Sequence, residues 1–450
     1  MKKNISLFLA VALIATSMVG CGSKATPEAS TTAASSTTTV AAASTAVVPA
    51  KEANLRYLTW EYSESQGATD AWIKNSQDKF NITIDMQNAP GDTYNNVLKT
   101  QIASNDIPDL VRVHTITNDM LLEGSTKIDT EMFADISDLK AVADYDPASI
   151  NNNKRGDKLY YVSMVRNALG GIYNKKVFKD LNLQLPTNYD EFIAVCEKIK
   201  AANIAPIAGS FKEAWTIQII PFIAFGQYIE SKDPDIKNKL KTGTTTYADH
   251  AADVKKALDL TQIFIDKGYV SKNYLGTDTT VACSMVGTGK AAMLINGTWM
   301  FKQVQDSNPS AEIGFMAIPF NAAGEKTTLG TSSDNGICIS SATKEMEAAR
   351  TALEYYLGTD IQTILMNDLN GIPTNSKVTV DSPSFKEISK VLTLPSVQVL
   401  GEFWDGNYFP GSVVLDMGKD FQNLLAKGTT SDEIVKKYTD LCAKALEAKK

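Results

Sequence analysis

Three short motifs in this chain have the residue types of a serine nucleophile and the groups that activate it. They are Ser341-Ala342-Thr343-Lys344, Ser333-Asp334-Asn335 and Lys241-Thr242-Gly243. In the serine enzymes that use this set, the Ser-x-x-Lys motif comes first in the chain and the Lys-Thr-Gly motif comes last. Here the order is reversed, and the first two motifs begin only eight residues apart. An acyl-transfer enzyme is therefore not predicted.

Phosphate and metal chemistry have equally little support in the sequence. The run from Gly287 to Lys290 resembles part of a phosphate-binding loop, but Ser284 and Ala291 stand where that loop needs glycine and a Ser or Thr. The two histidines, His114 and His250, have no second ligand at the spacing of a metal site. We expect no cofactor and no metal.

The composition describes a globular chain with a mild negative charge. It has 450 residues, 44% of them hydrophobic, and a formal net charge of −7. The length predicts two or three domains. Because the chain has no positive field to hold phosphate groups, nucleic acid is excluded as an expected partner.

The N-terminus has the pattern of an export signal. Lys2 and Lys3 precede an apolar run over residues 5–19, which is too short to span a bilayer, and Gly20-Cys21 follows. This end resembles a bacterial lipobox, in which residues 1–20 are removed and Cys21 carries lipid that anchors the protein on the outer face of the cell membrane. A plain secretory signal with an incidental cysteine is the alternative.

A tether is predicted to follow. Most of residues 22–52 are Ala, Ser or Thr, which bury little surface and cannot offset the entropy of ordering. We expect residues 21–52 to link the lipid to the folded part. An alanine-rich helix is the alternative, which the Ser and Thr clusters disfavour.

Four further cysteines lie in apolar surroundings. An even set in an exported protein can form two disulfides. Since a chain of this length needs no covalent staple, the preferred interpretation is four buried free thiols. These residues are Cys196, Cys283, Cys338 and Cys442.

Short apolar strands alternate with amphipathic helices from residue 54 onward. Strands are predicted over 55–60, 82–86 and 108–113, and helices over 69–80 and after Pro90-Gly91. This alternation favours α/β layers with a largely parallel sheet. A second such unit starts near Leu159, with a strand over 169–173, a helix capped by Thr187, and later helices over 249–267 and 343–357.

Several segments together resemble the extracellular solute-binding proteins of sugar-importing ABC transporters, the group that includes maltose-binding protein. One segment ends in Asn296-Gly297-Thr298-Trp299, close to the family's sequence before a binding-site tryptophan. The matching segments occur in the family's order and are residues 104–109, 157–162, 171–178, 186–192, 289–299 and 371–375.

The resemblance implies an α/β fold of two lobes, each a sheet flanked by helices, with a ligand cleft at the hinge. It implies residues 53–165 and 286–332 in the first lobe, and residues 166–285 and 333–450 in the second. It further implies binding of a carbohydrate, its delivery to ABC transporter permease subunits by lobe closure, and no enzymatic activity. A monomer is expected.

A sugar presents an apolar face and a rim of hydroxyls, so its site needs aromatic rings beside polar groups. Trp299 occupies the family's stacking position, although a core tryptophan is the alternative. Trp215 and Trp404 lie in segments that resemble ligand-contacting loops, and Asp405 is placed to accept hydroxyl hydrogen bonds. Trp72 lies on the apolar face of a predicted helix and is expected in the core.

First-lobe candidates follow the predicted strands. Trp60, Glu61 and Glu64 come after the first strand, at the end where open α/β sheets bind ligands. His114 follows the third predicted strand in the same manner, with a structural histidine as the alternative. These side chains are expected to face the cleft.

Two further candidates lie near the crossings between lobes. Asn167 matches a position that bears a carboxylate in maltose-binding protein, which implies a different sugar. Asp334 lies near a return crossing and is expected to serve as a hinge or ligand residue. Two other functions stay open from the sequence: the same fold binding a peptide, polyamine or other polar solute, and a surface-anchored carbohydrate-active enzyme.

Overall fold

The computed structural model describes residues 52–60, 62–89, 93–113, 132–151, 153–401 and 417–447. No helix in these ranges is long and apolar enough to cross a membrane. The predicted signal, Cys21 and the predicted tether up to residue 51 lie outside the described residues.

The helices are α1 Gln66–Phe80, α2 Tyr94–Ala103, α3 Pro147–Asn151, α4 Lys175–Asp180, α5 Tyr189–Ala201, α6 Ala214–Ile217, α7 Ile219–Phe225, α8 Ile236–Thr242, α9 Ala251–Asp266, α10 Thr279–Gly287, α11 Phe301–Ser307, α12 Met346–Leu357, α13 Thr359–Leu369, α14 Pro383–Leu392, α15 Met417–Leu425 and α16 Ser431–Glu447. The strands are β1 Ala53–Thr59, β2 Ile82–Asn88, β3 Leu110–Val113, β4 Lys154–Arg155, β5 Lys158–Leu159, β6 Val165–Asn174, β7 Ala205–Ile207, β8 Ala291–Gly297, β9 Ile313–Met316, β10 Thr327–Asp334, β11 Gly336–Ile339, β12 Ile372–Pro373 and β13 Val397–Leu400.

The first sheet has the strand order β11-β3-β1-β2. Strand β1 runs parallel to both β2 and β3, and β11 closes the edge antiparallel to β3. The predicted strand–helix alternation and the largely parallel pairing are therefore confirmed for this sheet. The α/β fold class predicted from the sequence is confirmed as well.

The second sheet is mixed and is centred on β6. Its order is β13-β10-β6-β8-β7, with β9 and β12 also pairing with β6. Strand β6 is antiparallel to β8, β9, β10 and β12, while β7 is parallel to β8. Every residue of β8 is buried, which fits a strand covered on both faces.

Each sheet has its own hydrophobic core. One core joins β1, α1, α12 and α13 around Trp72, whose side chain is fully buried. Another joins α5, α7, α9 and α16 around residues such as Phe192 and Phe264. The expectation that Trp72 is a core residue is confirmed. Phe192, Cys196 and Ile199 share a buried face of α5.

The grouping of chain segments into lobes differs from the expectation. Residues 286–332 were expected beside residues 53–165, but β8 and β9 within them pair with β6 in the second sheet. Residues 333–450 were expected in the second lobe, but β11 pairs with β3 in the first. We therefore use "first lobe" for the described residues within 53–164 and 335–380, and "second lobe" for the described residues within 165–334 and 383–447. The expected bounds came from the resemblance, which carries no strand pairing, whereas the pairing decides which sheet a strand joins.

The predicted helix start at Thr187 is off by one residue. Asn188 is the cap, and its side chain accepts a hydrogen bond from Glu191 N at 3.0 Å. Thr187 donates from both its N and its Oγ1 to the Glu191 carboxylate at 2.8 Å. Asn188 thus satisfies an N–H group of the first turn of α5, and the Glu191 carboxylate in turn satisfies the donors of Thr187.

Buried free thiols are confirmed for the four described cysteines. Burial raises the pKa of Cys196, Cys283 and Cys442 to about 12. Since the thiolate is the reactive form, we expect no labelling of these cysteines by a thiol reagent at pH 8 in the native protein. Unfolding in denaturant should expose all four to the reagent. Fast native labelling would contradict their burial.

Candidate ligand cleft

Two of the three crossings between the lobes lie at paired strands. Strand β6 begins at Val165, opposite Asp334 at the end of β10, and Pro373 of β12 pairs with Val165 as well. We call this set of paired residues at the start of β6 the crossing ladder. Because two crossings pass through it, we expect the ladder to lie in the hinge region.

Two predicted site tryptophans contact each other on the second lobe. Trp299 directly follows β8, and Trp215 lies in α6. Their ring centroids are 6.3 Å apart with an interplanar angle of 52°. Both are half-buried, and both pack against the core that contains Ala208 and Cys283. The sequence predicted both residues separately, and the fold makes them one aromatic surface.

Gly297 allows the Trp299 ring to lie over the end of β8. A Cβ atom at Gly297 would be 2.1 Å from Cη2 and Cζ3 of Trp299. The indole therefore covers the glycine backbone, and any side chain there would displace it.

We expect Gly297→Ala to weaken ligand binding while the fold is retained, because only the ring must move. The loss should approach that of removing the indole, and tryptophan fluorescence should change. Calorimetric titration and circular dichroism measure the two effects. Gly401→Ala is the matched control, since a Cβ there meets nothing within 4 Å. Unchanged affinity in Gly297→Ala would show that the ring position does not matter.

Polar groups lie beside the aromatic surface. Asn167 is 4% exposed, and its Oδ1 is 3.4 Å from Thr298 Oγ1, next to Trp299 in the chain. Asn296 is fully buried and its Oδ1 accepts from Gly297 N at 2.7 Å, while its Nδ2 has no hydrogen-bond partner in the described part of the chain. Amides and an aromatic surface are thus adjacent at the end of β8.

Glu213 is a further candidate for the site that the sequence reasoning did not nominate. It lies two residues before Trp215, and its Oε2 is shielded from solvent without a hydrogen-bond partner among the described residues. Burial raises the pKa of Glu213, and the negative charge of Asp278 adds to the rise. The only sequence signal was a carboxylate beside a candidate tryptophan.

The first-lobe candidates lie at the ends of strands, as expected. Trp60 follows β1, is half-buried, and packs edge-on against Tyr94, with centroids 4.8 Å apart. Glu64 lies in the turn after it and accepts a 2.6 Å hydrogen bond from Ser63 Oγ.

The crossing candidate Asp334 lies in the crossing ladder, where its Oδ1 accepts a hydrogen bond from Asn335 N at 2.6 Å. The predicted residues Glu61, His114, Trp404 and Asp405 lie outside the described residues.

The residues of the apparent serine-enzyme motifs do not converge. Ser341 follows β11 beside the first sheet, whereas Lys241 lies on α8, which packs in the second lobe. The described ranges also hold no group of three or more His, Cys, Asp or Glu side chains that could bind a metal ion. The two tryptophan rings can stack on a ligand, and the neighbouring polar groups can form hydrogen bonds with it.

The sequence model of the bacterial extracellular solute-binding proteins matches residues 62–363. The chain belongs to this family. Family members are two-lobed binding proteins, which agrees with two sheets joined by a crossing ladder. Extracellular solute binding is therefore the general role of the chain.

Several solute-binding proteins are similar to this chain. The multiple sugar-binding protein of Streptococcus mutans is 27% identical over 313 residues, which cover 66% of this chain and 70% of that protein. The solute-binding protein RafE in complex with raffinose superposes with a TM-score of 0.72 at 19% identity, over 87% of this chain and 99% of RafE. A chitin oligosaccharide binding protein superposes with a TM-score of 0.75 at 20% identity, over 88% and 99% of the two chains. The two structures establish the shared fold.

Proposed function

We propose that this solute-binding protein captures a carbohydrate between its lobes and delivers it to an ABC transporter permease. The observation that carries the proposal is the contact between Trp215 and Trp299 beside the amide of Asn167. The relatives named for sugars support the same ligand class.

The surface matches a sugar physically. The ring faces of a pyranose carry C–H groups, which pack on indole rings, and its rim carries hydroxyls that both donate and accept. The Asn296 Nδ2 donor and the Glu213 Oε2 acceptor are the kinds of group that hydroxyls satisfy. An oligosaccharide would cover the two adjacent indole rings more completely than a single sugar would.

Delivery requires a change of lobe angle and no covalent step. A ligand held by both lobes selects the closed form, which the permease then distinguishes from the empty open form. No bond is made or broken, and the protein acts as a receptor.

A thermal-shift screen of mono- and oligosaccharides tests the proposal. We expect a subset of sugars to raise the melting temperature with a dependence on concentration, as binding to the native state requires. The screen includes peptides and polyamines as the competing ligand class, and a panel of chromogenic glycosides to detect hydrolysis. Stabilisation by polyamines alone, or release of chromophore, would overturn the sugar-receptor assignment.

We also propose that the mature protein is a monomer anchored by lipid on Cys21, with residues 22–52 as its tether. The support is the charged, apolar and small-residue pattern of the N-terminus, together with the extracellular family. We expect Cys21→Ala to move the protein from the membrane fraction to the medium or to leave it unprocessed. Incorporation of an alkyne-labelled fatty acid into wild type, and none into the variant, is the direct measurement.

A further inference from the structure

Helix α1 receives its N-terminal cap from another helix. The first N–H groups of a helix have no acceptor within it and need one from outside. Ser65 stands at the N-cap position, but its Oγ lies 3.2 Å from Thr69 Oγ1 and makes no cap hydrogen bond in the described structure. The acceptor is Asp368 on α13, whose Oδ2 accepts from Ala68 N at 2.8 Å. A carboxylate 300 residues away in the chain thus holds the start of α1.

Asp368 and Gly67 fit each other in a way that local helix preferences do not explain. Asp368 lies in the last turn of α13, where the helix dipole disfavours a negative charge. Gly67 lies in the first turn of α1, where its backbone freedom disfavours the helix. A Cβ atom at Gly67 would be only 2.9 Å from Asp368 Oδ1. Both residue types are therefore explained by the contact between the two helices.

The start of α1 is also the end of a loop that carries first-lobe ligand candidates. Residues 60–65 connect β1 with α1 and include Trp60 and Glu64. The β1 end of the loop is fixed, because β1 pairs with both β2 and β3. At the other end, the Tyr62 hydroxyl donates to Asp70 Oδ1 on α1 at 3.0 Å. A loop this short follows the position of its ends, so a shift of α1 would move both candidates.

Helix α13 connects this cap with the crossing ladder. The helix ends at Leu369, and Asn370 follows with a φ of 49°, in the left-handed region. Strand β12 then begins at Ile372 and pairs with β6 in the crossing ladder. Asp368 therefore ties the start of α1 to the segment that enters the expected hinge region.

We propose that Asp368 is a positioning residue for ligand binding, which fixes the 60–65 loop with its candidates Trp60 and Glu64 by capping α1. Asp368 acts on the ligand only through this loop. The inference rests on the proposed binding of a sugar between the lobes. A loop that is already held in its binding conformation loses less entropy when the ligand binds, and the apparent affinity rises with the fraction of protein in that conformation. Loss of the cap should therefore weaken binding.

Asp368→Ala and Gly67→Ala disturb the cap from its two sides. The first removes the acceptor, and the second displaces the carboxylate. We expect each to weaken binding of the sugar with the largest thermal shift by about 3- to 10-fold in calorimetric titration, with an unchanged circular dichroism spectrum. The double variant should bind no more weakly than Asp368→Ala, because both changes break one contact. Wild-type affinity in both single variants would overturn the proposal.

Glu354→Ala is the matched control, because Glu354 makes the same kind of contact elsewhere in the first lobe. It is half-buried in the last turn of α12, and its Oε1 accepts from Ala141 N at 2.9 Å, at the start of the helical turn Lys140–Asp144. The control should lower the melting temperature about as much as Asp368→Ala does and leave the affinity unchanged. An equal loss of affinity in the control would reduce the effect to general destabilisation and reject the positioning role.

A double-mutant cycle with Trp60→Ala separates an action through the loop from a direct contact. In the Trp60→Ala background, Asp368→Ala should lose most of its effect on affinity, because the loop no longer carries its indole. A full and additive loss in that background would make Asp368 a ligand contact in its own right, which contradicts the proposal.

Hydrogen exchange of the free protein provides a measurement that requires no ligand. Mass spectrometry should show faster exchange over residues 60–69 in Asp368→Ala than in the wild type, and no such change in Glu354→Ala. Unchanged exchange over these residues would overturn the capping role. Failure of the wild type to bind any sugar would instead count against the proposed function, while the exchange result would still decide whether Asp368 fixes the loop.

Discussion

Trp299→Ala is expected to weaken sugar binding by about 30- to 150-fold, which corresponds to about 2–3 kcal/mol at a hot-spot aromatic residue. The indole is half-buried and packs against Trp215, so its loss removes the larger part of an apolar surface. The melting temperature should fall modestly, because the ring is only partly within the core. Calorimetric titration with the sugar that gives the largest thermal shift measures the effect.

Tyr355→Ala is the matched control for Trp299→Ala. Tyr355 is also half-buried, and its ring packs against that of Phe80 between α12 and α1 of the first lobe, with centroids 5.4 Å apart. Its removal should cost similar stability and leave affinity unchanged. Trp215→Ala should weaken binding as well, and the double variant with Trp299→Ala should fall short of the sum of the two losses. Wild-type affinity in Trp299→Ala would remove the indole from the site.

Trp72→Ala is expected to lower the free energy of unfolding by about 3–5 kcal/mol. The side chain is fully buried, and its Nε1 donates to Ala352 O at 2.8 Å. The ring packs edge-on against Tyr57 and Tyr356, with centroids 5.2 Å and 4.7 Å away. Removing it leaves a cavity between α1 and α12 and takes a side-chain donor away from the Ala352 carbonyl. Urea unfolding followed by circular dichroism measures the change.

Trp72→Phe separates packing from hydrogen bonding in the same position. It keeps an aromatic ring and loses the donor to Ala352, so it should cost about 1–3 kcal/mol. Neither variant should change the affinity of the folded fraction, because Trp72 lies within the first-lobe core. Together with Trp299→Ala, these variants should separate Trp72, which stabilises the fold, from Trp299, which is expected to bind the ligand. A stability loss below 1 kcal/mol in Trp72→Ala would contradict the burial.

Local patterns predicted much of this fold, and long-range pairing accounts for the errors. The strand–helix alternation identified β1, β2 and β3 of the first sheet to within two residues but not β11, and residues 186–192 identified α5. The lobe of residues 286–332 was taken from the resemblance, because an apolar strand such as β8 does not by itself indicate which sheet it joins. Only its register with β6, from Gly297 opposite Leu169 to Met293 opposite Tyr173, decides the lobe.

The candidate site likewise combines residues that local patterns predicted with contacts that depend on the fold. Trp299 and Trp215 were predicted from their own segments, but their contact depends on the position of α6 against the end of β8. Glu213 escaped notice because a lone charge in a loop has many ordinary roles. It became a candidate through its burial and its unpartnered oxygen, which appear only in three dimensions.

The late edge strand β11 has a consequence for how the chain folds. It pairs with β3, and the first-lobe core also needs α12 and α13. A nascent chain ending before residue 336 lacks all three, so it cannot complete even the domain that begins at its own N-terminus. Such distant pairings raise the contact order and slow folding. The first lobe therefore completes its core only after most of the chain has been synthesised, and an incompletely folded chain is the form that can be threaded across a membrane.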